Sequence, residues 1–392
     1  MHKHQAISVT EEEALNYHKK KRGKIEIAAK TSIRTKKDLR LAYTPGVAFA
    51  SLAIAKDKKL DRVLTNKGNS VAIITDGTAV LGLGDIGPEA AIPVMEGKSA
   101  IFKLFAGIDG YPISLAEKDP KKIIAIVQAL APNYAGINLE DISAPRCFEI
   151  ERALRKKLDI PVFHDDQHGA AIIVVSALVN ALSLAKKKAE EIRVVVNGAG
   201  AAGIATIHLL LAYGVKHITV VDKQGILHKR AKGMHKYQRE IAGFTNPKRR
   251  GGLKEAIEGA DVFIGFSVGN VLTKPMVASM AKKAIVFACA NPTPEINPKD
   301  AKQAGAYIVA TGRSDYPNQI NNALVFPGLF KGLLEAGASE ITPQAMICAA
   351  TCLAGLVKKP SPGNIVPSLF DRRVVETVAF TIRQPGVCVC KY

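Results

Sequence analysis

The stretch from residue 192 to residue 222 constrains the fold most strongly. The run IRVVV is short and apolar, as expected of a buried parallel strand, and it is followed by NGAGAAG, an apolar helix and a second strand, ITVVD. Strand, glycine-rich turn, helix and strand in this order predict a βαβ unit. Later helical patterns alternate with further strands, which indicates an α/β fold with a doubly wound parallel sheet, its later strands at 262–266, 284–288 and 307–310.

The glycine-rich turn has the spacing G-x-G-x-x-G. The first glycine permits a tight turn, the second lets the backbone approach a pyrophosphate, and the third lets the helix pack closely on the strand. The helix N-terminus would present N–H groups to the phosphates, and Asp222, at the end of the second strand, would bind the adenosine ribose. An ordinary turn is the alternative, but the flanking elements favour binding of NAD or NADP by Gly198, Ala199, Gly200, Ala201, Ala202 and Gly203.

The first 165 residues predict a second α/β domain. They contain strand-like runs at 71–75 and 160–163 and helical patterns at 121–130 and 149–157. The end of the chain is mostly helical and is expected to pack back on the first domain. We therefore predict two domains and a helical tail, with limits at 1–165, 166–345 and 346–392.

The formal net charge of +19, from 54 Lys and Arg against 35 Asp and Glu in 392 residues, is unusual. Ten basic residues and one acid lie between 223 and 254, and eleven basic residues and five acids lie between 1 and 40. A basic surface can bind nucleic acid, but the sequence has no helix-turn-helix or zinc-finger pattern and no Trp for base stacking. We predict no nucleic-acid partner; the charge either steers anionic ligands or reflects a source with generally basic proteins.

The uncharged stretch 168–185 just reaches the length that a membrane-crossing helix needs. Its Asn180, two serines and many alanines favour instead a buried helix in a soluble core. The polar start of the chain predicts no signal peptide, and six scattered cysteines without a CxxC pair predict a reduced protein. We therefore expect a cytoplasmic protein without a membrane partner.

Two pairs of acidic residues follow short apolar segments: Glu140 with Asp141, and Asp165 with Asp166. Both pairs are expected at strand ends, where α/β folds collect ligand-binding groups. Carboxylate oxygens suit a hard cation such as Mg²⁺ or Mn²⁺. Solvated surface acids are the alternative for either pair alone, and the two histidines of FHDDQH are expected to be structural rather than metal ligands.

Two further candidates lie in glycine-containing segments. Tyr43 precedes the Pro-Gly turn of LAYTPGVA, and Lys98 follows the glycine of EGKSAIFK. Glycines here indicate tight backbone near a site. A tyrosine at a turn is usually a packing residue, and by pattern alone Lys103 is as good a candidate for a buried base as Lys98.

Taken together, eight motifs resemble those of the malic enzymes, and in particular the short bacterial form of that family. The match extends from about residue 41 to residue 376, nearly the whole chain. The resemblance implies oxidative decarboxylation of (S)-malate to pyruvate and CO2, a Rossmann-type NAD(P)-binding domain, a divalent metal and a homodimer or higher assembly. The motifs, in order, are YTPGVA, TDGTAVLGLGDIG, EGKSAIFKLFAGID, NLEDI, FHDDQHGAA, NGAGAAG, ANPTPEI and NQINNALVFPG.

The resemblance also implies a role for each candidate side chain. Tyr43 is expected as general acid and Lys98, rather than Lys103, as general base, both in contact with substrate. Burial and a nearby dication are expected to lower the pKa of Lys98. The metal ligands are expected to be Glu140, Asp141 and Asp166, and Asp165 is expected to help arrange the site beside them. Three asparagines are expected near substrate and nicotinamide: Asn291, Asn321 and Asn322, with Asn322 favoured over Asn321.

One residue departs from the family pattern. In the stretch corresponding to GTAVLG, larger members carry an arginine that binds a carboxylate of malate. This chain has Ala79 at that position. The carboxylate must then be held by the metal, by asparagines or by another residue. Two alternatives stay open: a metal-independent two-domain dehydrogenase, such as one acting on amino acids, and a malolactic-type decarboxylase that retains its cofactor and releases lactate.

The choice between NAD and NADP depends on Asp222. A carboxylate at this position repels a 2′-phosphate and favours NAD. Lys223 and the basic stretch that follows it favour NADP instead, because basic residues attract a 2′-phosphate. We favour NAD over NADP.

Overall fold

The computed structural model of the chain describes residues 9–80, 82–245 and 250–384. Lys248 and Arg249 of the basic stretch lie outside the described residues, as do 1–8 and 385–392 at the outer limits of the predicted domains. Two sheets with flanking helices organise the chain. The predicted α/β class is confirmed.

The first sheet is built from four strands: β1 (Ser70–Thr75), β2 (Asp109–Ser114), β3 (Gly136–Leu139) and β4 (Val162–His164). All pair in parallel, in the order β2-β1-β3-β4. The strand predicted at 71–75 is confirmed, and the strand predicted at 160–163 begins two residues later. The pattern does not reveal β3, which has four residues, or β2, whose Gly110 and Pro112 are typical of turns and are tolerated at a sheet edge.

The second sheet is built from six strands: β5 (Arg193–Asn197), β6 (His217–Asp222), β7 (Gly225–Ile226), β8 (Val262–Gly265), β9 (Ile285–Ala288) and β10 (Ile308–Thr311). Their order is β10-β9-β8-β5-β6-β7, so the chain winds in both directions from β5. All neighbours are parallel except the short hairpin of β6 and β7. The predicted doubly wound sheet is confirmed.

Sixteen α-helices lie in the described residues. The helices predicted at 121–130 and 149–157 are present, the second beginning at Arg146. The helices are α1 (Glu11–Lys21), α2 (Lys36–Ala42), α3 (Gly46–Lys56), α4 (Asp61–Leu64), α5 (Pro88–Ala106), α6 (Pro120–Leu130), α7 (Arg146–Lys157), α8 (Asp165–Ala185), α9 (Ala201–Tyr213), α10 (Lys236–Ile241), α11 (Leu253–Ile257), α12 (Lys274–Ala278), α13 (Pro298–Gln303), α14 (Phe326–Ala336), α15 (Pro343–Gly355) and α16 (Arg373–Arg383).

Helix α8 leads from the first sheet into the second. It begins directly after β4 and packs against α9 and α15. Among the described helices it alone is long and apolar enough to cross a membrane, and 78% of its apolar stretch is buried inside the fold. Its Asn180 donates to the backbone carbonyls of Ala354 and Ile365. This burial agrees with the expected core helix.

The first four helices differ from all later ones because none of their residues is buried. Their exposed side chains include large apolar groups, such as Phe49, which is 73% exposed, and Leu41 and Leu52. Large apolar patches on a protein surface mark interaction sites. Residues 11–64 therefore present a face that a single copy of the chain leaves uncovered.

The C-terminal helices close the fold around α14. The ring of Phe326 in α14 packs edge-on against Phe102 of α5, with centroids 4.7 Å apart. Helix α16 packs on the other side of α14, where Gly328 and Gly332 leave room for its backbone. Since α8 begins at β4 of the first sheet and packs against α9 of the second, no linker marks a domain limit in the described part of the chain, and the limits at 165 and 345 stay predictions.

We expect Gly332→Ala to lower the free energy of unfolding by about 1–3 kcal/mol. The added methyl group would lie 2.6 Å from the carbonyl oxygen of Ala379 in α16, so one helix must shift. Urea denaturation followed by circular dichroism measures the change. The matched control is Gly363→Ala, whose methyl group meets nothing within 4 Å; equal stability of the two variants would contradict the close packing of α14 on α16.

Candidate active site

A cleft of about 630 Å³ lies where the carboxyl ends of the two sheets meet. Its lining includes residues that follow strands of both sheets: Ala79 after β1, Asp141 after β3, Gly200 after β5, Asn291 after β9 and Gly312 after β10. Ligands of open α/β sheets bind at the carboxyl ends of strands. The cleft is thus where both sheets deliver their functional side chains.

A larger cavity of about 1170 Å³ lies between α8, α15 and α16. Its lining contains a single acid, Glu376, and does not include the glycine-rich turn. The smaller cleft is lined by ten of the sixteen predicted site residues, among them Lys98 and the three predicted metal ligands, so it is the candidate active site.

Three acidic side chains converge on one wall of the cleft. One carboxylate oxygen from each of Glu140, Asp141 and Asp166 lies within 4.8 Å of the other two. Asp141 adopts a left-handed backbone conformation, with φ of +53°, and its N–H donates to the carboxylate of Asp166 over 2.8 Å. The loop after β3 and the start of α8 are thereby joined, and they bring together the three predicted metal ligands.

The donor set suits a divalent cation with a preference for oxygen ligands. Burial raises the pKa of Glu140 to about 7, although the charge of Lys98 opposes it. Burial also raises the pKa of Asp166, and the carboxylate of Asp165 adds to the effect. Three acids at this distance repel one another when ionised, and a dication among them would relieve that repulsion.

Lys98 lies beside this acidic cluster, on α5. Its ammonium group is 7% exposed and forms ion pairs with Glu140, at 2.5 Å, and with Asp165. The ring of Phe326 lies 4.4 Å from the same nitrogen and provides a cation–π contact. Lys103 instead pairs with Asp109, does not line the cleft and has 56% of its side chain exposed. The structure therefore brings Lys98, and not Lys103, into the cleft.

The expected lowering of the Lys98 pKa is wrong for the chain on its own. Burial disfavours the ammonium ion, but the charges of Asp165 and Glu140 outweigh burial and raise the pKa above its usual value. Burial raises the pKa of Asp165 to about 7, against the opposing charge of Lys98. In the chain on its own the proton therefore stays on Lys98, which is held as a cation against Asp165.

A second layer of polar residues supports the acids from behind. Glu151 of α7 accepts hydrogen bonds from the backbone N–H of His164, at 3.1 Å, and from the side chain of Gln167, at 3.0 Å, and it contacts the ring of His168. Burial lowers the pKa of His164 to about 4, so its ring is neutral. Neither histidine belongs to the three-acid cluster, although Nε2 of His164 lies 3.4 Å from the carboxylate of Asp166; their structural role stays a prediction.

The glycine-rich turn borders the cleft opposite the acids. Gly198 has φ of +107°, and a side chain there would collide with the carbonyl oxygen of Phe266. A methyl group on Gly203 would lie 1.9 Å from the carbonyl oxygen of Gly198, so the third glycine permits the close approach of α9 to the turn. Gly200, Ala201 and Ala202 line the cleft at the N-terminus of α9, where N–H groups are available to a phosphate.

Asp222 ends β6 next to this turn. Its carboxylate accepts hydrogen bonds from the N–H of Ala199, at 3.2 Å, and from the side chain of Gln238, at 2.6 Å. The acid is thus held at the edge of the turn, where the predicted adenosine ribose would lie. Gln238 is a residue that the sequence pattern does not single out.

The three predicted asparagines all line the cleft. The side-chain oxygen of Asn321 accepts the N–H of Ala323 over 2.8 Å and caps the short 3-10 turn that precedes α14. Asn322 follows as the first residue of that turn. Both side chains line the cleft, and the preference for Asn322 over Asn321 stays a prediction.

Tyr43 lies elsewhere. It ends α2, its side chain is 66% exposed, and it is absent from the residues that line the cleft. Its neighbours Leu39, Leu41 and Val47 are also exposed. A single copy of the chain therefore does not bring Tyr43 together with Lys98.

The structure adds residues that motif reading overlooks. Asn138 donates to Glu140 over 3.0 Å, and buried Glu295 accepts the backbone N–H groups of Ser267 and Ala290, both at 3.0 Å, at two cleft-lining loops. Asn138 lies within the four-residue strand β3 and is fully buried. A polar residue in such an apolar run is the feature that could have marked it as functional, because buried polar groups need hydrogen-bond partners. Glu295 belongs to the motif ANPTPEI, of which the sequence pattern singles out only the asparagine, Asn291.

Fold and cleft together define a two-domain, dinucleotide-dependent enzyme with an acidic cluster next to its cofactor turn. Models of two protein domains match the chain: the malic enzyme N-terminal domain at residues 22–155, and the malic enzyme NAD binding domain at residues 167–386. The chain belongs to the malic enzyme family, as the resemblance implied.

Named relatives support this membership. The bifunctional malic/malolactic enzyme of Bacillus subtilis is 54% identical over 96% of this chain and 93% of its own length. The NAD-dependent malic enzyme of Geobacillus stearothermophilus is 52% identical over 91% of this chain and 75% of its own length. The crystal structure of the NAD-dependent malic enzyme of Thermotoga maritima superposes with a TM-score of 0.92 at 48% identity, covering 95% of this chain and 99% of that one.

We expect Asp166→Asn to weaken Mn²⁺ binding at least about tenfold, because it removes one of three charged ligands. Titration of the variant with Mn²⁺, followed by electron paramagnetic resonance of the free ion, measures the affinity. Asp300→Asn removes an acid that pairs with Lys274 on the far surface and serves as control. Wild-type affinity in Asp166→Asn would remove this residue from the ligand set.

Proposed function

We propose that the protein oxidises (S)-malate and decarboxylates it to pyruvate and CO2, with reduction of NAD and with Mg²⁺ or Mn²⁺ bound. The observation that carries the proposal is the position of Lys98 between Asp165 and Glu140, directly beside the three acids and across the cleft from the glycine-rich turn. A base, a metal site and a hydride acceptor are the three requirements of this reaction, and one cleft can hold all three.

Glu140, Asp141 and Asp166 would hold the metal, and Gly200, with its neighbours at the start of α9, would hold the pyrophosphate of the cofactor. When bound, the metal supplies a Lewis acid at the substrate oxygens and the nicotinamide supplies the hydride acceptor. The protein side chains then have to orient malate, take up one proton and return another.

Lys98 takes the proton of the malate C2 hydroxyl as the C2 hydrogen leaves as hydride. To act as base it first has to be neutral, and a dication held by Glu140, Asp141 and Asp166 would favour the neutral form, while Asp165 keeps the side-chain nitrogen in position. The product of this step is oxaloacetate. Its C3–C4 bond then breaks, CO2 leaves, and the remaining enolate is protonated at C3 by Tyr43 to give pyruvate.

Tyr43 can perform this step only if it reaches a cleft, and in its own chain it does not line one. We infer a homodimer in which the uncovered apolar face of α1–α4 is buried against a second copy and Tyr43 completes the partner's site. The absence of buried residues in these four helices supports this, because helices of this composition are stabilised mainly by burial of an apolar face. Tyr43 ends α2 within this face.

We expect Lys98→Ala and Tyr43→Phe each to lower kcat for malate oxidation about a hundredfold or more, as loss of a general base or acid does. An equimolar mixture, unfolded and refolded together, should regain about a quarter of wild-type activity, because half of the dimers are mixed and each has one complete site. NADH formation at 340 nm measures the rate.

Each outcome bears on a separate part of the proposal. A wild-type enzyme that does not oxidise malate, or that keeps full activity after chelation with EDTA, overturns the function. Near wild-type turnover of Lys98→Ala removes it as the base. Active single variants of Tyr43, or a mixture without regained activity, overturn the shared site while leaving the reaction in place.

NAD is the favoured cofactor because Asp222 ends β6 beside the glycine-rich turn, where the adenosine ribose would lie. Relatives named as NAD-dependent and as NADP-dependent both exist, so the family does not decide the matter. We expect kcat/KM to be higher with NAD, and Asp222→Ser to raise the relative use of NADP, because a 2′-phosphate no longer meets a carboxylate. A tenfold preference of the wild-type enzyme for NADP would contradict this choice.

A malolactic reaction is the second candidate, and the name of the Bacillus subtilis relative favours it. In that reaction the cofactor stays bound and returns its hydride, so lactate is released and no net NADH appears. Chromatography of the products from malate separates the two outcomes, since pyruvate accompanies NADH one for one in the first reaction and lactate forms without NADH in the second.

A further inference from the structure

The cleft lacks positive charge for a dianionic substrate. Among the described residues that line it, Lys98 is the only cation, and it already pairs with two carboxylates. Ala79 lines the cleft at the position where larger family members have an arginine. Even with a dication bound, three acidic ligands leave the metal site anionic, so a carboxylate of the substrate needs another donor.

Ser143 lines the same cleft, two residues after Asp141. Its backbone N–H donates to Oγ1 of Thr78 over 3.0 Å, and its Oγ accepts a hydrogen bond from Nη2 of Arg146 over 3.1 Å. A hydroxyl that accepts a hydrogen bond still has one proton to donate. No acceptor for that proton lies among the described residues, which leaves the O–H of Ser143 for a ligand in the cleft.

Arg146 is held firmly behind this serine. Its Nη2 also donates to Oγ1 of Thr78 over 2.8 Å and lies 3.0 Å from the fully buried carboxylate of Asp76, and its Nη1 donates to the carbonyl of Lys118 over 2.5 Å. The guanidinium thus makes its polar contacts with the protein, and Arg146 does not line the cleft. It therefore acts on a ligand through Ser143, whose O–H is polarised by the adjacent cation.

The network adjoins the position of the missing arginine. Thr78 directly precedes Ala79, whose N–H donates to the carbonyl of Asp141 over 2.9 Å. The loop after β1 and the loop after β3 are thus joined at two points, the second being the bond between Ser143 and Thr78. Ala79 and Ser143, which these two loops carry, both line the cleft.

We propose that Ser143 donates a hydrogen bond to one carboxylate of the dicarboxylate substrate, in place of the arginine that this chain lacks, and that Arg146 is its positioning residue. The inference rests on the proposed function, because it concerns how the same cleft recognises malate. It assigns substrate recognition to a neutral hydroxyl backed by a partly buried cation. The hydroxyl can therefore bind a carboxylate without placing a second charge next to the metal site.

The test compares Ser143→Ala, which removes the hydroxyl, with Ser143→Thr, which keeps it. We expect Ser143→Ala to raise KM for malate about tenfold or more, the usual loss for a hydrogen bond to a charged group, with kcat changed much less. KM for NAD, affinity for Mn²⁺ and thermal stability should stay at wild-type values. Ser143→Thr should remain within a few-fold of the wild-type KM.

A measurement without turnover completes the design. Isothermal titration of malate into each variant, with Mn²⁺ and NADH bound, should show the same ranking of dissociation constants as the KM values. A KM of Ser143→Ala within twofold of wild type, or parallel losses of Mn²⁺ affinity and thermal stability, overturns the inference. Wild-type enzyme that does not oxidise malate overturns the proposed function instead, so the two failures are distinguishable.

Discussion

The ion pairs of Lys98 with Asp165 and Glu140 are the interaction on which the site depends. They join α5, the end of β3 and the start of α8 at a point that is almost fully buried. Removing one partner of a buried ion pair typically costs about 3–5 kcal/mol, because the other charge is left uncompensated. The same bonds therefore hold three elements in register and set the protonation of the proposed base.

Glu140 belongs both to this ion-pair cluster and to the three-acid cluster. A cation at the three acids would compete with Lys98 for the carboxylate of Glu140, so occupancy of the metal site and the proton affinity of Lys98 are linked. Asp165 stays outside the three-acid cluster and remains as the partner of Lys98. A metal could thus share the carboxylate of Glu140 with Lys98, whereas the carboxylate of Asp165 would pair with Lys98 alone.

Much of this could be predicted from the sequence, and the exceptions have physical reasons. Buried parallel strands such as β5 and β6 are continuous apolar runs ended by glycine or aspartate, so local pattern defines them. Acids that follow such runs, as Asp166 follows β4, must lie at the sheet edge. Strand β2 is not predicted from the sequence because Pro112 is typical of turns. Proline is tolerated in an edge strand, but only the folded sheet shows that β2 lies at an edge.

Other features depend on contacts between distant parts of the chain. The pKa of Lys98 is decided by carboxylates 42 and 67 residues further along the chain, which local sequence does not bring together. The exposure of Tyr43 and the bond from Arg146 to Ser143 likewise require the three-dimensional arrangement. Motifs identify which side chains matter, whereas geometry decides what holds them and which of them meet.

The continuity of α8 has a mechanical consequence. The helix starts with Asp165 and Asp166 in the cleft and runs 21 residues, about 30 Å, into the core beneath the second sheet. The same helix packs against α9, whose N-terminus lines the cleft opposite the acids. The separation of the acids from the glycine-rich turn is therefore set by side-chain packing between α8 and α9, so a cavity opened between these helices would change the geometry of the cleft from a distance.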